Sequence, residues 1–257
     1  MEPVLIKISG NLADDETSQQ KICSFALQKI TEGKPVVIVH GGGKQINELS
    51  KRLGVDVKQI AGRRITDQAA LEVMLYTVGG IVNKQLVSSF RKQGAKAVGL
   101  TGIDGNLTTS HKRPPLSIDG VDVDFELVGE FDQIDPELVT TLLGKNFIPI
   151  IGCLTWSDDE GILNINADTF AINLARAIGC EELIMLMSPQ AVLDGNQQPI
   201  SELNRETWKA GITDGWIIDG MQPKLLTGFE ALENGISKVI LTNPDGLEKK
   251  NGTQLVN

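Results

Sequence analysis

No stretch of this chain comes near the ~20 consecutive apolar residues that a membrane-spanning helix requires. A membrane partner is therefore not expected. The first apolar run, Val4-Leu5-Ile6-Lys7-Ile8, is reached without the charged and apolar regions of a signal peptide, which predicts a cytoplasmic location. Cysteine is scarce: Cys23, Cys153 and Cys180 are odd in number, far apart and without C-x-x-C spacing. That excludes a disulfide framework or zinc knuckle and predicts three buried thiols. Positive charge is in deficit, with 24 Lys and Arg against 33 Asp and Glu and a net charge of −9, so a duplex phosphate backbone would be repelled. Nucleic acid is thereby disfavoured as a partner. The short run His111-Lys112-Arg113 does not reverse this and reads as a solvated loop. Internal repeats and low-complexity linkers are also missing, so the 257 residues read as one domain with a full core. Its approximate lobes are 1–175 and 176–257.

What is present is a βαβ rhythm. Strand-like runs at Val4–Ile8, Val36–Val39, Ala97–Leu100, Phe147–Ile151, Leu183–Met187 and Lys238–Leu241 alternate with helical patterns. The helices are expected from about Glu16, over Lys44–Leu53, Pro136–Lys145, Ala167–Ile178 and Pro223–Asn234, with a long helical stretch interrupted at Gly79-Gly80. Such alternation predicts an α/β fold with a parallel sheet between helix layers. Between Ser117 and Glu130 the pattern shifts to short alternating segments around Asp119-Gly120, which predicts a β-hairpin on the sheet's rim, placed to cover a substrate.

The most informative segment is Val36-Val37-Ile38-Val39-His40-Gly41-Gly42-Gly43, an apolar strand running into three glycines and then a helix. Glycines let a ligand approach the main chain, and a helix start offers free N–H groups and the positive end of a dipole. Phosphate is the usual guest, although a sharp strand-to-helix turn alone also uses glycine. Lys7 sits inside the first strand, so its ammonium emerges at the carboxyl end, where open parallel sheets bind ligands. Lys224 follows Gly220-Met221-Gln222-Pro223 at a helix start, with Pro223 suited to the first helical position and Leu225, Leu226, Phe229 and Leu232 as the buried stripe. A cation at the positive end of a helix calls for a shared anion, unless it is an ordinary exposed lysine. In Asn164-Ile165-Asn166-Ala167-Asp168, capping accounts for Asn166 and in part for Asp168, but not for Asn164. Arg63-Arg64 precedes a helix capped by Thr66 or Asp67, and an arginine there can grip a carboxylate with two parallel hydrogen bonds or stay solvated.

Taken in order, Lys7-x-x-Gly10, Val39-His40-Gly41-Gly42-Gly43, Gly62-Arg63-Arg64-Ile65-Thr66, Asn164-x-Asn166-Ala167-Asp168 and Gly220-Met221-x-Pro223-Lys224 resemble the amino-acid kinase family nearly end to end. Within it the pattern is most similar to members that phosphorylate the γ-carboxylate of N-acetyl-L-glutamate with ATP. The resemblance implies an open αβα sandwich around a mainly parallel central sheet, with an N-terminal lobe for the acyl amino acid and a C-terminal lobe for ATP. It implies catalytic roles for Lys7, Lys224 and Asp168, phosphate or acceptor binding by Gly10, Gly42, Gly43, Arg64, Asn164 and Asn166, and nucleotide binding near Ser188 and Ile218. ATP and Mg²⁺ are the implied cofactors. The absence of an extra helix before the first strand implies, within the family, a homodimer insensitive to arginine.

Two departures from the family pattern stand out. Its usual Lys-x-Gly-Gly start is Lys7-Ile8-Ser9-Gly10 here, so one glycine position carries a side chain. The nucleotide-lobe motif, usually Thr-Asp-Val-x-Gly-Val, is Met187-Ser188-Pro189-Gln190-Ala191-Val192, without the aspartate, the glycine and one backbone donor. The chemistry agrees with the residues independently. A γ-carboxylate with a pKa near ~4.3 is already ionised at neutral pH and needs no general base, so two histidines suffice. Other readings are the same transfer to N-succinylglutamate or N-acetyl-2-aminoadipate, or a regulator whose catalysis has lapsed. A dinucleotide dehydrogenase fits least, because Gly41-x-Gly43-x-x-Ile46 lacks the third glycine.

Overall fold

The computed structural model describes residues 2–217 and 221–257. Its centre is an eight-stranded sheet. In spatial order the strands are Glu202–Leu203, Thr253–Leu255, Lys238–Thr242, Glu182–Leu186, Val4–Ile8, Val36–His40, Ile148–Gly152 and Ala97–Thr101. Neighbours run parallel except for Thr253–Leu255 against Lys238–Thr242. Val4 pairs with Val36 on one side and Glu182 on the other, so the first strand is a central one.

Alternation along that strand divides the core in two. Leu5, with Val37 and Val39, packs under Phe170, Leu174 and Phe229 from the helices Ala167–Ala177 and Gln222–Glu233. Val4, Ile6 and Ile8 pack on the opposite face against Ile22 and Ala26 of helix Glu16–Thr31 and Leu86 and Phe90 of helix Asn83–Lys92. Burial on both faces explains why the strands are continuous apolar runs, each fully buried Val, Leu or Ile contributing about 1.5–3 kcal/mol. Within the first strand Lys7 is the polar exception, on the Leu5 face and 5% exposed.

The open αβα sandwich expected from the sequence is therefore present, with differences in detail. The stretch around Gly79-Gly80 does not break: Gln68–Met74, a π-helix over Leu75–Val82 and Asn83–Lys92 run on as one rod. Within the stripe of helix Gln222–Glu233, Leu225, Phe229 and Leu232 are buried, but Leu226 is 44% exposed because it lies one residue off that face. Pro223 is the second helical residue rather than the first. The run at His111 is not a loop. His111 and Lys112 end a strand, Thr108–Lys112, inside a second, four-stranded sheet, where they pair with Asp132 and Asp124 and Arg113 lies beside Glu130. The Asp119-Gly120 hairpin exists, with both turn residues at positive φ (51° and 80°) as a two-residue turn requires. It spans only Leu116–Ile118 and Val121–Val123 as a separate ribbon, while Gly129–Ile134 joins the four-stranded sheet.

Candidate active site

The glycine segment behaves as its composition suggests. Strand Val36–His40 ends at the turn, and helix Gly43–Leu53 starts with Gly42 at its cap position, without a side-chain cap or an acidic residue in the first turn. First-turn amides and the dipole are thus left for an anion. Gly10 meets this helix start closely: a Cβ on Gly10 would lie 3.0 Å from the Gly43 nitrogen and 3.3 Å from Gln45 Oε1. A Cβ on Gly43 would meet nothing within 4 Å, so that residue faces open space. Gln45 clips the two glycine segments together, its Nε2 donating to the Gly10 carbonyl at 2.7 Å. Its Oε1 is buried without a partner among the described residues. Sequence reading missed Gln45, although a glutamine beside the buried Ile46 at the helix start was a visible signal.

Lys7, Asp168 and Lys224 come together from three remote parts of the chain. Lys7 reaches the site from the central strand, and its Nζ lies 2.6 Å from Asp168 Oδ1. The contact is an ion pair rather than an aligned hydrogen bond, because Oδ1 has no partner of hydrogen-bonding geometry. Asp168 stands in the first turn of helix Ala167–Ala177, whose cap Asn166 accepts from the Asp168 and Thr169 amides at 2.8 and 3.2 Å. Burial alone would raise the Asp168 pKa, but the charges of Lys7 and Lys224 outweigh it and hold the carboxyl below its ordinary value. The Lys224 pKa is lowered, first by burial and then by the Lys7 charge, with Asp168 acting in the opposite sense. Lys7 is thus paired directly with Asp168 at the carboxyl end of the sheet, and Lys224 is near enough for its charge to act on both.

A second group lies one helical turn from the cradle. Asn47, four residues after Gly43 and on the same face of the helix, accepts from Arg64 Nη2 at 2.6 Å. Arg64 Nη1 is buried with no partner among the described residues, and burial lowers the guanidinium pKa. Asn164 Nδ2 donates to Thr66 Oγ1 at 3.0 Å, which fastens Asn164 to the segment carrying Arg64. Arg64 and Asn164 are thereby brought together. The rise from Gly43 to Asn47, about 6 Å, suits a five-carbon dicarboxylate with one end on the glycine amides and the other on the guanidinium. Asn47 was not singled out from sequence because its partner is remote in the chain, and Thr66 was read as a possible helix cap, a place that Asp67 takes instead. Asn166 is exposed and its oxygen is committed to the helix cap.

Ser188 is exposed just beyond strand Glu182–Leu186, at the same carboxyl edge as Lys7. Ile218 lies outside the described residues, as does Gly220 of the last motif. A cavity of about 970 Å³ lined by Lys29, Glu182, Ile184 and Lys238 lies on the opposite face of the sheet from Lys7 and includes none of the three charged residues above. Among the described residues no three His, Cys, Asp or Glu side chains cluster to hold a metal. With Asp168 engaged by Lys7, an Mg²⁺ ion would be held here together with nucleotide phosphates and would supply neutralisation of their charge. The three cysteines are buried, and burial pushes each thiol up to about 12, which leaves them inert.

An open α/β sheet with a glycine cradle and two lysines around an aspartate defines a phosphoryl-handling protein. The chain belongs to the amino acid kinase family, whose profile matches residues 2–243. It is 37% identical over 245 residues to the acetylglutamate kinase of Azorhizobium caulinodans, covering 93% of this chain and 81% of that one. It is 35% identical over 259 residues to the acetylglutamate kinase of Parabacteroides distasonis, covering 98% of both. Among solved structures, the smu.665 protein of Streptococcus mutans superimposes with a TM-score of 0.82 at 25% identity, covering 98% of both chains.

Proposed function

We propose that this protein transfers the γ-phosphoryl group of ATP to the γ-carboxylate of N-acetyl-L-glutamate, giving N-acetyl-L-glutamyl 5-phosphate and ADP, the second step of arginine biosynthesis. The observation that supports the reading is the Lys7–Asp168 ion pair at the carboxyl end of the sheet, with the Lys224 charge near enough to lower the Asp168 pKa. A carboxylate oxygen forms the new bond to phosphorus as the bond to the β-phosphate oxygen breaks, and no proton needs to be removed. Negative charge shifts from the incoming to the outgoing oxygen across the phosphoryl group. The lysine ammonium groups and the amides of Gly10, Gly42 and Gly43 oppose that charge from fixed positions. Asp168 keeps the two cations from repelling each other out of line. Arg64, through its free Nη1, and Asn164 hold the α-carboxylate, and Asn166 lines the acceptor side from its cap.

Mg²⁺ accompanies the nucleotide in this reading and neutralises phosphate charge when bound. Residues 1–175 serve the acyl amino acid and 176–257 the nucleotide, with Ser188 and Ile218 near the latter. The working assembly is a homodimer in the cytoplasm, for which the exposed Tyr76 and Ile81 on the π-helix offer apolar surface. No helix among the described residues is long and apolar enough to cross a membrane.

The test is acceptor-dependent ADP release, with hydroxylamine trapping of the acyl phosphate, across N-acetyl-L-glutamate, N-succinyl-L-glutamate, N-acetyl-2-aminoadipate and free glutamate. The expected result is the highest kcat/KM with N-acetyl-L-glutamate. ADP release indifferent to every acceptor would refute the reading, and a preference for another acyl group would move it to that substrate. Sedimentation tests the assembly.

A further inference from the structure

Beneath the glycine cradle lies a buried polar network that the chemistry above does not use. His40, fully buried at the end of its strand, places Nδ1 2.9 Å from the Gly41 carbonyl oxygen and Nε2 3.0 Å from Asn83 Nδ2. The Asn83 amide nitrogen is itself placed by two groups that only accept, the carbonyls of Ile150 at 2.8 Å and Leu100 at 3.1 Å, while its oxygen accepts from Lys84 Nζ at 3.1 Å. The two carbonyls can take both amide protons, so the tautomer is set from the other side of the ring: the Gly41 carbonyl only accepts, the ring proton therefore resides on Nδ1 and is donated to it, and Nε2 stays unprotonated against the Asn83 amide. The sheet is shaped around this network. A Cβ on Gly99 would fall 2.0 Å from Asn83 Oδ1, and one on Gly152 would fall 2.8 Å from Val78 Cγ1 of the π-helix and 3.5 Å from His40 Cε1.

A trans peptide points its C=O and the following N–H in opposite directions. Drawing the Gly41 oxygen back onto the imidazole turns the Gly42 N–H away from the ring. We infer that His40, its Nδ1–H donated to the Gly41 carbonyl and its ring backed by the Asn83 amide, is a positioning residue of the phosphoryl cradle that fixes the Gly41–Gly42 peptide so that the Gly42 amide faces the transferring group. The inference rests on the phosphoryl-transfer reading of the site, but its first test does not. His40 contacts no substrate and acts through Gly42.

The chain has only two histidines, His40 and His111, so long-range proton–nitrogen spectra of histidine-labelled protein resolve the tautomer directly. A proton on Nδ1, the less common form in water, is expected; a proton on Nε2 would overturn the inference. Two substitutions then separate positioning from packing. His40→Asn keeps an amide nitrogen where Nδ1 was and loses the Asn83 contact, while His40→Gln reaches the Nε2 position and loses the donor to Gly41. Turnover within about tenfold of the parent is expected for His40→Asn, and about a hundredfold fall in kcat with little change in acceptor KM for His40→Gln, the usual cost of one misplaced amide donor. Parallel losses in both variants, following their unfolding midpoints, would mean packing alone and sink the inference. A parent protein that releases no ADP with any acceptor would refute the kinase reading instead, leaving the tautomer result intact.

Discussion

Replacing Asp168 by asparagine removes the negative charge that pairs with the buried Lys7 and acts on the half-buried Lys224, and leaves the shape of the site nearly unchanged. Lys7, 5% exposed, would lose a carboxylate 2.6 Å from its nitrogen. Deleting one partner of a buried pair costs about 3–5 kcal/mol. The Asp168 side chain is 16% exposed, and the amide retains one acceptor, so the lower end, about 3 kcal/mol, is expected in urea unfolding at neutral pH. The functional consequence is distinct. Burial and Lys7 already lower the Lys224 pKa, and Asp168 is the group that opposes them. Without it the Lys224 pKa falls further, and the charged form is lost as pH rises through the new value. The alkaline limb of the kcat profile should move to lower pH, and kcat at neutral pH should fall by about 10²–10³ through loss of charge and alignment. Steady-state ADP release measured across the alkaline range for parent and variant provides the check. An alkaline limb that stays in place or moves upward in Asp168→Asn would refute the electrostatic role, whatever happens to stability.

Arg64→Ala should mainly raise the acceptor KM, by about 10- to 100-fold for one charge-assisted contact, with kcat little altered; a fall confined to kcat would contradict the assignment. Gly10→Ala brings a methyl 3.0 Å from the Gly43 nitrogen and should widen the cradle. A loss of about 10- to 100-fold in kcat is expected, larger than any effect on the unfolding midpoint. Burial pushes the His40 pKa down to about 4, opposed by its bond to Gly41 and aided by the Lys84 charge. Stability is therefore full above the unfolded value near 6.5 and is lost as pH falls toward 4, by up to about 3 kcal/mol. Urea titrations from pH 7 to 4 should show a shallower decline in His40→Asn than in the parent, and equal slopes would contradict the burial.

The legible parts of this protein were those whose signals are local. A lysine inside an apolar strand, glycines between strand and helix, and Asn166 ahead of a helix with Phe170 and Leu174 buried are each set by the strand period, by steric freedom or by capping. The four-stranded sheet was invisible for a physical reason. Thr108, Ser110 and Thr155 are buried on its inner face and satisfy one another at 2.6 and 2.7 Å, so a packed core made of hydroxyls reads as a polar loop. The clips that set the site, Gln45 to Gly10, Asn47 to Arg64 and Thr66 to Asn164, join segments 17 to 98 residues apart. No local pattern announces such partners. The Gly79-Gly80 pair signalled a break, whereas the chain absorbs it by widening to a π-helix whose Val78 packs against the cradle side of the sheet.

Val4–Ile8 has neighbours on both sides, and one of them begins at Glu182. During translation this ribbon leaves the ribosome long before its second flank exists, and Lys224 emerges later still. A chain that ends before residue 224 would lack one of the two cations proposed for phosphoryl transfer. The seam at the middle of the sheet closes only once residues 182–186 have been made.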